Sequence, residues 1–190
     1  MRVLVVSEGE HEQSGALNNL LKKLGGGQAD FESKDVSKIH AFHGKGSRLF
    51  KKAITCLRLA VNEDYDALVF LIDQDGHNER IKQIQQAQEH PLESLPRALG
   101  VAIKTYDAWM LADEQALSQV LGYTIPTQPN PEKANDPKQK CKKLHDESNS
   151  AISLRDMYAA IANLIDIDTL SNRCPKGFKP FAQKVKKIFP

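Results

Sequence analysis

Two short acidic segments of the sequence carry side chains of the type that binds divalent metal ions. Glu8, Glu10 and Glu12 alternate in the first segment. Asp73 and Asp75 alternate in the second. Carboxylate oxygens are hard ligands that suit Mg²⁺ or Mn²⁺. An ion held by such ligands positions a phosphodiester and activates water for its hydrolysis, so the two segments are the first candidates for a catalytic centre.

Each acidic segment directly follows an apolar run that predicts a buried parallel strand. Residues 2–6 (RVLVV) precede Glu8, and residues 67–72 (ALVFLI) precede Asp73. Ligands of open parallel sheets bind beyond the carboxyl ends of the strands, so we expect both segments at one rim. An isolated Asp-x-Asp-Gly is more often a turn or a helix cap. The metal hypothesis therefore depends on the two segments occurring together.

The order of elements along the chain predicts an α/β fold with a mostly parallel central sheet and helices on both faces. Two further strand-like runs, residues 29–36 and 98–103, join the two already described. Helical periodicity separates the four runs, at residues 17–24, 50–61 and 78–90. Strands that alternate with helices in this way are typical of parallel sheets.

Beyond this α/β unit, the sequence predicts helices only. Residues 126–137 are rich in proline and polar side chains and predict a loop. We expect an α/β domain over residues 1–125, and a loop with a helical extension over residues 126–190. The extension is too short to bury a core alone, so we expect it to pack on the same core. Its apolar stripes would serve that core or a homodimer interface.

Composition excludes several classes of protein. The 190 residues are 41% apolar and 26% charged, which excludes global disorder and fibrous repeats. No apolar run approaches the length of a membrane span, and the first residues do not form a signal peptide. Three scattered cysteines indicate a reducing compartment. We therefore expect a cytoplasmic protein with no membrane partner.

The charge distribution favours a polyanionic substrate. The formal net charge is +2, but residues 1–130 carry 14 basic and 17 acidic side chains, whereas residues 131–190 carry 12 and 7. A separate basic segment, residues 34–58, holds seven Lys or Arg and one acid. Basic patches beside an acidic centre suit a nucleic acid and a metal. Solvated helix faces are the alternative explanation.

The basic segment contains candidate phosphate-binding residues. Lys45, Arg48 and Lys52 have the spacing of one helix face, and the glycines that flank Lys45 would free backbone N–H groups at a helix N-terminus. The sequence Gly44-Lys45-Gly46-Ser47 is not a P-loop, because the required upstream glycine is missing.

Three more residues could contact a phosphate. His11 and His77 each flank an acidic segment and could donate to a phosphate oxygen or relay a proton. Exposed loop histidines are the alternative. Lys104 follows the last predicted strand and could bind a phosphate or pair with a carboxylate.

The acidic segments and several others together resemble a known family. Glu8-Gly9-x-x-Glu12 and Asp73-x-Asp75, each after a strand, resemble the TOPRIM domain of topoisomerases, primases and OLD-family nucleases. The form with two glutamates is closest to the OLD-like branch. Residues 106–113 (YDAWMLAD) resemble the E-x-W-L-L-A-D signature of an uncharacterised bacterial TOPRIM-like family. Three later segments resemble the tail of that family: residues 130–132 (NPE), 136–138 (DPK) and 174–181 (CPKGFKPF).

The resemblance implies a Rossmann-like TOPRIM fold and a role for each acid. Glu8 would be the general acid/base or a metal ligand, and Asp73 and Asp75 would bind the metal. Glu12 would match the second glutamate of the OLD-like branch. Asp107 stands where the smaller family has Glu, so either metal binding or capping of the following helix is open to it.

From the residues and the resemblance together, we expect a Mg²⁺- or Mn²⁺-dependent nuclease. OLD-like TOPRIM domains are fused to an ATPase, so the resemblance also implies a separate ATPase subunit and a role in genome maintenance or phage defence. The alternative is a non-catalytic module that binds a metal, a nucleotide or a partner. An ion pair of Asp73 or Asp75 with Lys104 or Arg80 would favour that module. A flavodoxin-like nucleotide binder is disfavoured, because carboxylates stand where its phosphate loop would be.

Overall fold

A four-stranded parallel sheet forms the centre of the fold. The computed structural model describes residues 1–9, 12–91, 94–148 and 150–189. The strands are Arg2–Ser7 (β1), Asp30–Asp35 (β2), Ala67–Asp73 (β3) and Arg97–Ala102 (β4). Their order is β2-β1-β3-β4, and every neighbouring pair is parallel. The predicted α/β fold with a parallel sheet is confirmed.

Helices connect the strands and continue after the last one. The α-helices are Leu17–Leu21 (α1), Arg48–Asn62 (α2), Glu79–Gln88 (α3), Asp107–Met110 (α4), Glu114–Leu121 (α5), Pro137–Glu147 (α6), Leu154–Leu164 (α7), Ile167–Arg173 (α8) and Phe178–Val185 (α9). Shorter helical turns are Glu12–Ala16, Lys22–Gly26, Val36–Lys38 and Pro131–Lys133. Part of the predicted loop 126–137 is therefore helical, because Pro131 and Pro137 each begin a turn at a position where proline is favourable.

Alternation along the strands divides the core between the two faces of the sheet. Val3 and Val5 of β1 point to one face, and Leu4 and Val6 point to the other. Helices α2 and α3 cover the second face. The first face is covered by α1 and by the helices that follow β4. The central strands are apolar on both sides because both faces are buried.

The large apolar side chains of the helices differ in burial. Trp109 is fully buried and packs edge-on to Phe178 with ring centroids 5.1 Å apart. Ile81 and Leu164 are exposed. Other residues fill the buried positions of their helices, among them Ile84 in α3 and Ile161 in α7.

The outward edge of β4 is occupied by side chains. Gln88 accepts a hydrogen bond from the Leu99 N–H through Oε1 (2.8 Å), and its Nε2 donates to the Arg97 carbonyl (3.1 Å). Lys184 Nζ donates to the Leu99 carbonyl at 2.7 Å. These side chains satisfy backbone groups that an edge strand leaves unpaired.

The strand order places a crevice between β1 and β3. From β1 the chain moves outward to β2 and then returns to form β3 on the other side of β1. Such a reversal opens a crevice at the carboxyl ends of the two strands. Ser7 pairs in register with Leu71, so β3 extends two residues further and ends on Asp73.

Candidate active site

The predicted acidic residues line one cavity of about 360 Å³ at the carboxyl ends of β1 and β3. Its acidic lining residues are Glu8, Glu12, Asp73, Asp75 and Asp107. We call this space the acid cavity. Glu8 follows β1, Asp73 ends β3 and Asp107 begins α4, so the parallel topology brings together carboxylates that are far apart in the sequence.

Glu12 is buried because the chain folds its side chain back over Gly9. Only 4% of Glu12 is exposed, and its carboxylate occupies the space where a side chain on Gly9 would begin. Burial, together with the negative charges of Asp107 and Glu8, raises the pKa of Glu12 to about 7. This carboxylate therefore exchanges its proton near neutral pH.

Gly9→Ala is expected to move the Glu12 carboxylate while leaving the fold intact. The added methyl would overlap that carboxylate and push it away from the other acids. For the hydrolase that we propose below, cleavage should fall about 100-fold, because a displacement of about 1 Å in a catalytic group can cost that much. Gly27→Ala is the matched control, since a methyl there meets no neighbouring atom. Wild-type cleavage rates for Gly9→Ala, at unchanged thermal stability, would contradict a role for Glu12.

Asp73 is anchored through one oxygen. Its Oδ1 accepts a hydrogen bond from the Tyr106 N–H at 2.7 Å. Burial raises the pKa of Asp73 to about 8, and the charges of Glu12, Asp107 and Glu8 add to the effect. The other oxygen, Oδ2, accepts no hydrogen bond from the described residues. Asp73 is thus fixed in position with one oxygen available to a ligand.

Glu8 lies at the rim of the acid cavity and forms an ion pair. Its Oε2 accepts hydrogen bonds from the Asp73 N–H (3.1 Å) and from Arg80 Nη1 (3.2 Å). The same Arg80 nitrogen donates to the Asp73 carbonyl at 2.7 Å. Arg80 therefore pairs with Glu8 and not with the carboxylate of Asp73 or Asp75.

The remaining two acids differ in their environments. Asp75 is exposed, and its backbone adopts a left-handed conformation with φ of 48°. Asp107 is buried and accepts a hydrogen bond from the hydroxyl of Tyr158. Asp107 is the first residue of α4, and the N-cap position of that helix is occupied by Tyr106. Tyr158 holds the carboxylate of Asp107.

A second cavity of about 470 Å³ adjoins the first and carries basic side chains. Arg48, Lys52, His77 and Arg80 line it, and Glu8 lines both cavities. We call this space the basic cavity. Lys52 Nζ donates to the Val36 carbonyl at 2.8 Å, whereas Arg48 is exposed and makes no hydrogen bond or ion pair among the described residues.

A comparison with known protein families identifies the family of this chain. A family described as a domain of unknown function, DUF4276, matches residues 8–186. The chain belongs to the DUF4276 family. Neither the curated proteins nor the solved structures include a significant match. The match extends from Glu8 into α9, so it spans every acid of the acid cavity.

The free DUF4276 chain does not present a preformed metal cage. Among residues 1–9, 12–91, 94–148 and 150–189, no group of three or more His, Cys, Asp or Glu side chains lies in an arrangement that could hold an ion. The acids share a cavity, but Glu8 is turned toward Arg80 and Asp107 toward Tyr158. No helix in these ranges is long and apolar enough to cross a bilayer.

Two of the predicted phosphate-binding residues of the DUF4276 chain line neither cavity. Lys45 was expected on the face of a helix with Arg48, but α2 begins at Arg48 after its cap, Ser47. Lys45 therefore lies in the preceding loop, outside both cavities. Lys104 also lies outside them, and no described carboxylate pairs with it. His11 lies outside the described residues.

His77, by contrast, lines the basic cavity. Its Nδ1 lies 3.3 Å from the Glu79 carboxylate, so a neighbouring acid already occupies one face of the ring.

The acid cavity also contains residues that sequence reasoning missed. Lys138, Thr105 and Tyr106 line it. Lys138 belongs to the DPK segment and Tyr106 to the YDAWMLAD segment, so both lie in segments on which the family resemblance rests. Their types alone gave no reason to single them out. Burial raises the pKa of Tyr106 well above its usual value, so its hydroxyl stays protonated.

Proposed function

We propose that this DUF4276 protein is a metal-dependent phosphodiester hydrolase that acts on nucleic acid, and that its sheet is related to the TOPRIM domain. The observation that carries the proposal is the contact between the acid cavity and the basic cavity, which share Glu8. A phosphodiester chain needs cations along its backbone and carboxylates at the cleaved bond. The two cavities offer these groups side by side.

The residues of the acid cavity fit a Mg²⁺ or Mn²⁺ ion by their chemistry. Glu8, Glu12, Asp73 and Asp75 would hold it. All are oxygen donors, and Asp73 Oδ2 and Glu8 Oε1 accept no hydrogen bond from the described residues. The raised pKa values of Glu12 and Asp73 reflect burial and mutual repulsion, which a cation would offset. When bound, the ion supplies Lewis-acid activation of the phosphodiester and of water.

The side chains around this centre have distinct proposed roles. The unused oxygen of Glu8 is either a metal ligand or the acceptor of the proton of the attacking water, and in the second case Glu12, Asp73 and Asp75 hold the ion. Arg48, Lys52 and Arg80 neutralise the phosphates that flank the cleaved bond. Lys138 adds a positive charge to the lining of the acid cavity. A separate ATPase subunit is the proposed protein partner, on the basis of the OLD-like resemblance.

A non-catalytic module is the second candidate function. The ion pair between Glu8 and Arg80 favours this function, because Arg80 already binds the carboxylate of the proposed general base. In such a module the acid cavity would bind a metal, a nucleotide or a protein without hydrolysis.

A nuclease assay separates the two candidates. The purified chain is incubated with single-stranded DNA, double-stranded DNA and RNA, with Mg²⁺, with Mn²⁺ and with EDTA. Cleavage that requires the metal supports the hydrolase and identifies the class of nucleic acid. Metal binding in calorimetry without cleavage of any substrate would support the module.

Arg48→Gln is expected to weaken substrate binding and leave the chemical step nearly unchanged. Arg48 lines the basic cavity, and its side chain makes no ion pair with the described residues. Its loss should raise KM about fivefold and reduce the slope of log Kd against log salt by about 1. Arg155→Gln, at an exposed position on α7, is the matched control. A fall in kcat at unchanged KM would contradict the assignment of the basic cavity.

A further inference from the structure

Arg80 connects the two cavities. It lies in the first turn of α3, where its N–H donates to the His77 carbonyl at 3.0 Å. Arg80 lines the basic cavity, and its Nη1 lies 3.2 Å from Oε2 of Glu8, the residue that lines both cavities. One side chain of the basic cavity is therefore in direct contact with an acid of the other.

The ion pair between Arg80 and Glu8 opposes cation binding in the acid cavity. Glu8 is one of the acids proposed to act on the ion or on the attacking water, and in the ligand-free chain the guanidinium offsets its negative charge. A carboxylate that already pairs with one cation attracts a second one less strongly, because the two positive charges repel each other. The pair therefore lowers the metal affinity of the ligand-free protein.

The same ion pair is accessible enough to exchange its partners. The exposed fraction is 22% for the Arg80 side chain and 36% for the Glu8 side chain, and ion pairs in contact with water are weak. Arg80 Nη1 also donates to the Asp73 carbonyl at 2.7 Å, which keeps the guanidinium at this boundary after Glu8 is released. Its Nε and Nη2 form no hydrogen bond with the described residues. A guanidinium with such N–H groups to spare is suited to a bidentate contact with a phosphate.

The basic cavity attracts the anion that would compete for Arg80. Arg48 and Lys52 line it beside Arg80, and neither forms an ion pair with a described carboxylate. A further acid of this lining, Glu79, pairs with a histidine and with none of the three cations. A phosphate of a nucleic-acid backbone that binds among these cations meets Arg80 on the side of the basic cavity.

We propose that Arg80 is a positioning residue that couples the two cavities. A substrate phosphate in the basic cavity draws the guanidinium away from Glu8, and the charge of Glu8 is then no longer offset beside the divalent ion. This deepens the proposed function and rests on it, because it makes metal binding depend on the presence of the substrate. Since coupling between two ligands is reciprocal, the ion also strengthens the binding of the phosphate.

The first test measures Mn²⁺ affinity by calorimetry in the absence of nucleic acid. Arg80→Gln should bind Mn²⁺ about fivefold more tightly than the wild type, the effect of losing one partly exposed ion pair. The gain should disappear when Glu8→Gln is compared with the double variant Glu8→Gln and Arg80→Gln, because no charge is left to release. Arg48→Gln is the matched control: it removes a cation of the same cavity that pairs with no described carboxylate, so its Mn²⁺ affinity should stay within about twofold of the wild type.

The second test measures the competition itself and needs no variant. Sodium sulfate supplies a tetrahedral anion that resembles phosphate, and sodium chloride at equal ionic strength is its control. Sulfate should raise the Mn²⁺ affinity of the wild type and leave that of Arg80→Gln unchanged. Arg80→Lys keeps the positive charge, so without sulfate it should bind Mn²⁺ as the wild type does. Thermal unfolding checks that each variant is folded.

Three results would overturn the proposal. They are unchanged or weaker Mn²⁺ binding by folded Arg80→Gln, a gain that persists in the Glu8→Gln background, and a wild-type affinity that does not respond to sulfate. The hydrolase is judged separately by metal-dependent cleavage of nucleic acid, so it can stand when the coupling fails. Absence of Mn²⁺ binding by the wild type under every condition would contradict both.

Discussion

Asp73→Asn is expected to abolish metal-dependent cleavage, with a fall in kcat/KM of about 1,000-fold or more, the range for loss of a charged group that holds a catalytic metal. Asparagine keeps the Oδ1 oxygen that accepts the Tyr106 N–H, so the loop after β4 should keep its position. The substitution removes the negative charge and leaves the size and shape of the side chain nearly unchanged.

Two measurements support the interpretation of this variant. Calorimetry should show weaker Mn²⁺ binding, and thermal unfolding should show a fold at least as stable as the wild type. Asp30→Asn serves as the matched control, because Asp30 is exposed at the opposite end of the sheet. Retention of metal-dependent cleavage by Asp73→Asn would exclude Asp73 as a ligand and leave the module as the better explanation.

The stability of the metal-free protein is expected to fall as the pH rises from about 5 to about 8.5. Burial raises the pKa of Asp73 from 3.8 to about 8 and that of Glu12 from 4.5 to about 7. In this range the unfolded chain has already released both protons, while the folded chain still holds them. Stability is therefore fully present below the unfolded values and is lost as the pH rises through the folded ones. From these values, a decrease of about 6 kcal/mol in the free energy of unfolding is expected over this range.

Urea unfolding at a series of pH values, in EDTA, measures this decrease. The double variant Glu12→Gln with Asp73→Asn should remove most of the slope, because neither amide titrates. Mg²⁺ should stabilise the wild type more at pH 8.5 than at pH 6, since metal binding displaces the protons. A wild-type profile that is flat between pH 5 and pH 8.5 would show that the two carboxylates ionise normally in the folded state.

The sheet and the acidic rim could be predicted from the sequence for one physical reason. Residues 67–72 are apolar at every position. Among strands, only one that is buried on both faces needs such an uninterrupted apolar run. Once the sheet is parallel, all carboxyl ends lie on one side, so Glu8 and Asp73 must be neighbours.

The remaining parts of the site depend on contacts that no local pattern encodes. Arg80 reaches Glu8 across the crevice, and Lys138 arrives from α6, far along the chain. Lys45 was placed in a helix because spacing alone does not show where a helix begins. The hydrogen bond from the Phe50 N–H to the side chain of Ser47 determines that start. The buried hydroxyl of Tyr106 has no hydrogen-bond partner among the described residues, and a sequence cannot show such a feature.

The side chains on the outward edge of β4 determine how the protein can associate with other chains. Strand addition is a common route to amyloid-like aggregation and to domain-swapped oligomers, and it needs free backbone groups on an edge strand. At β4, a foreign strand would first have to displace Gln88 and Lys184 from Leu99 and Arg97. Two side chains from separate helices thus act as a barrier to self-templated polymerisation at this edge, independently of any chemistry in the acid cavity.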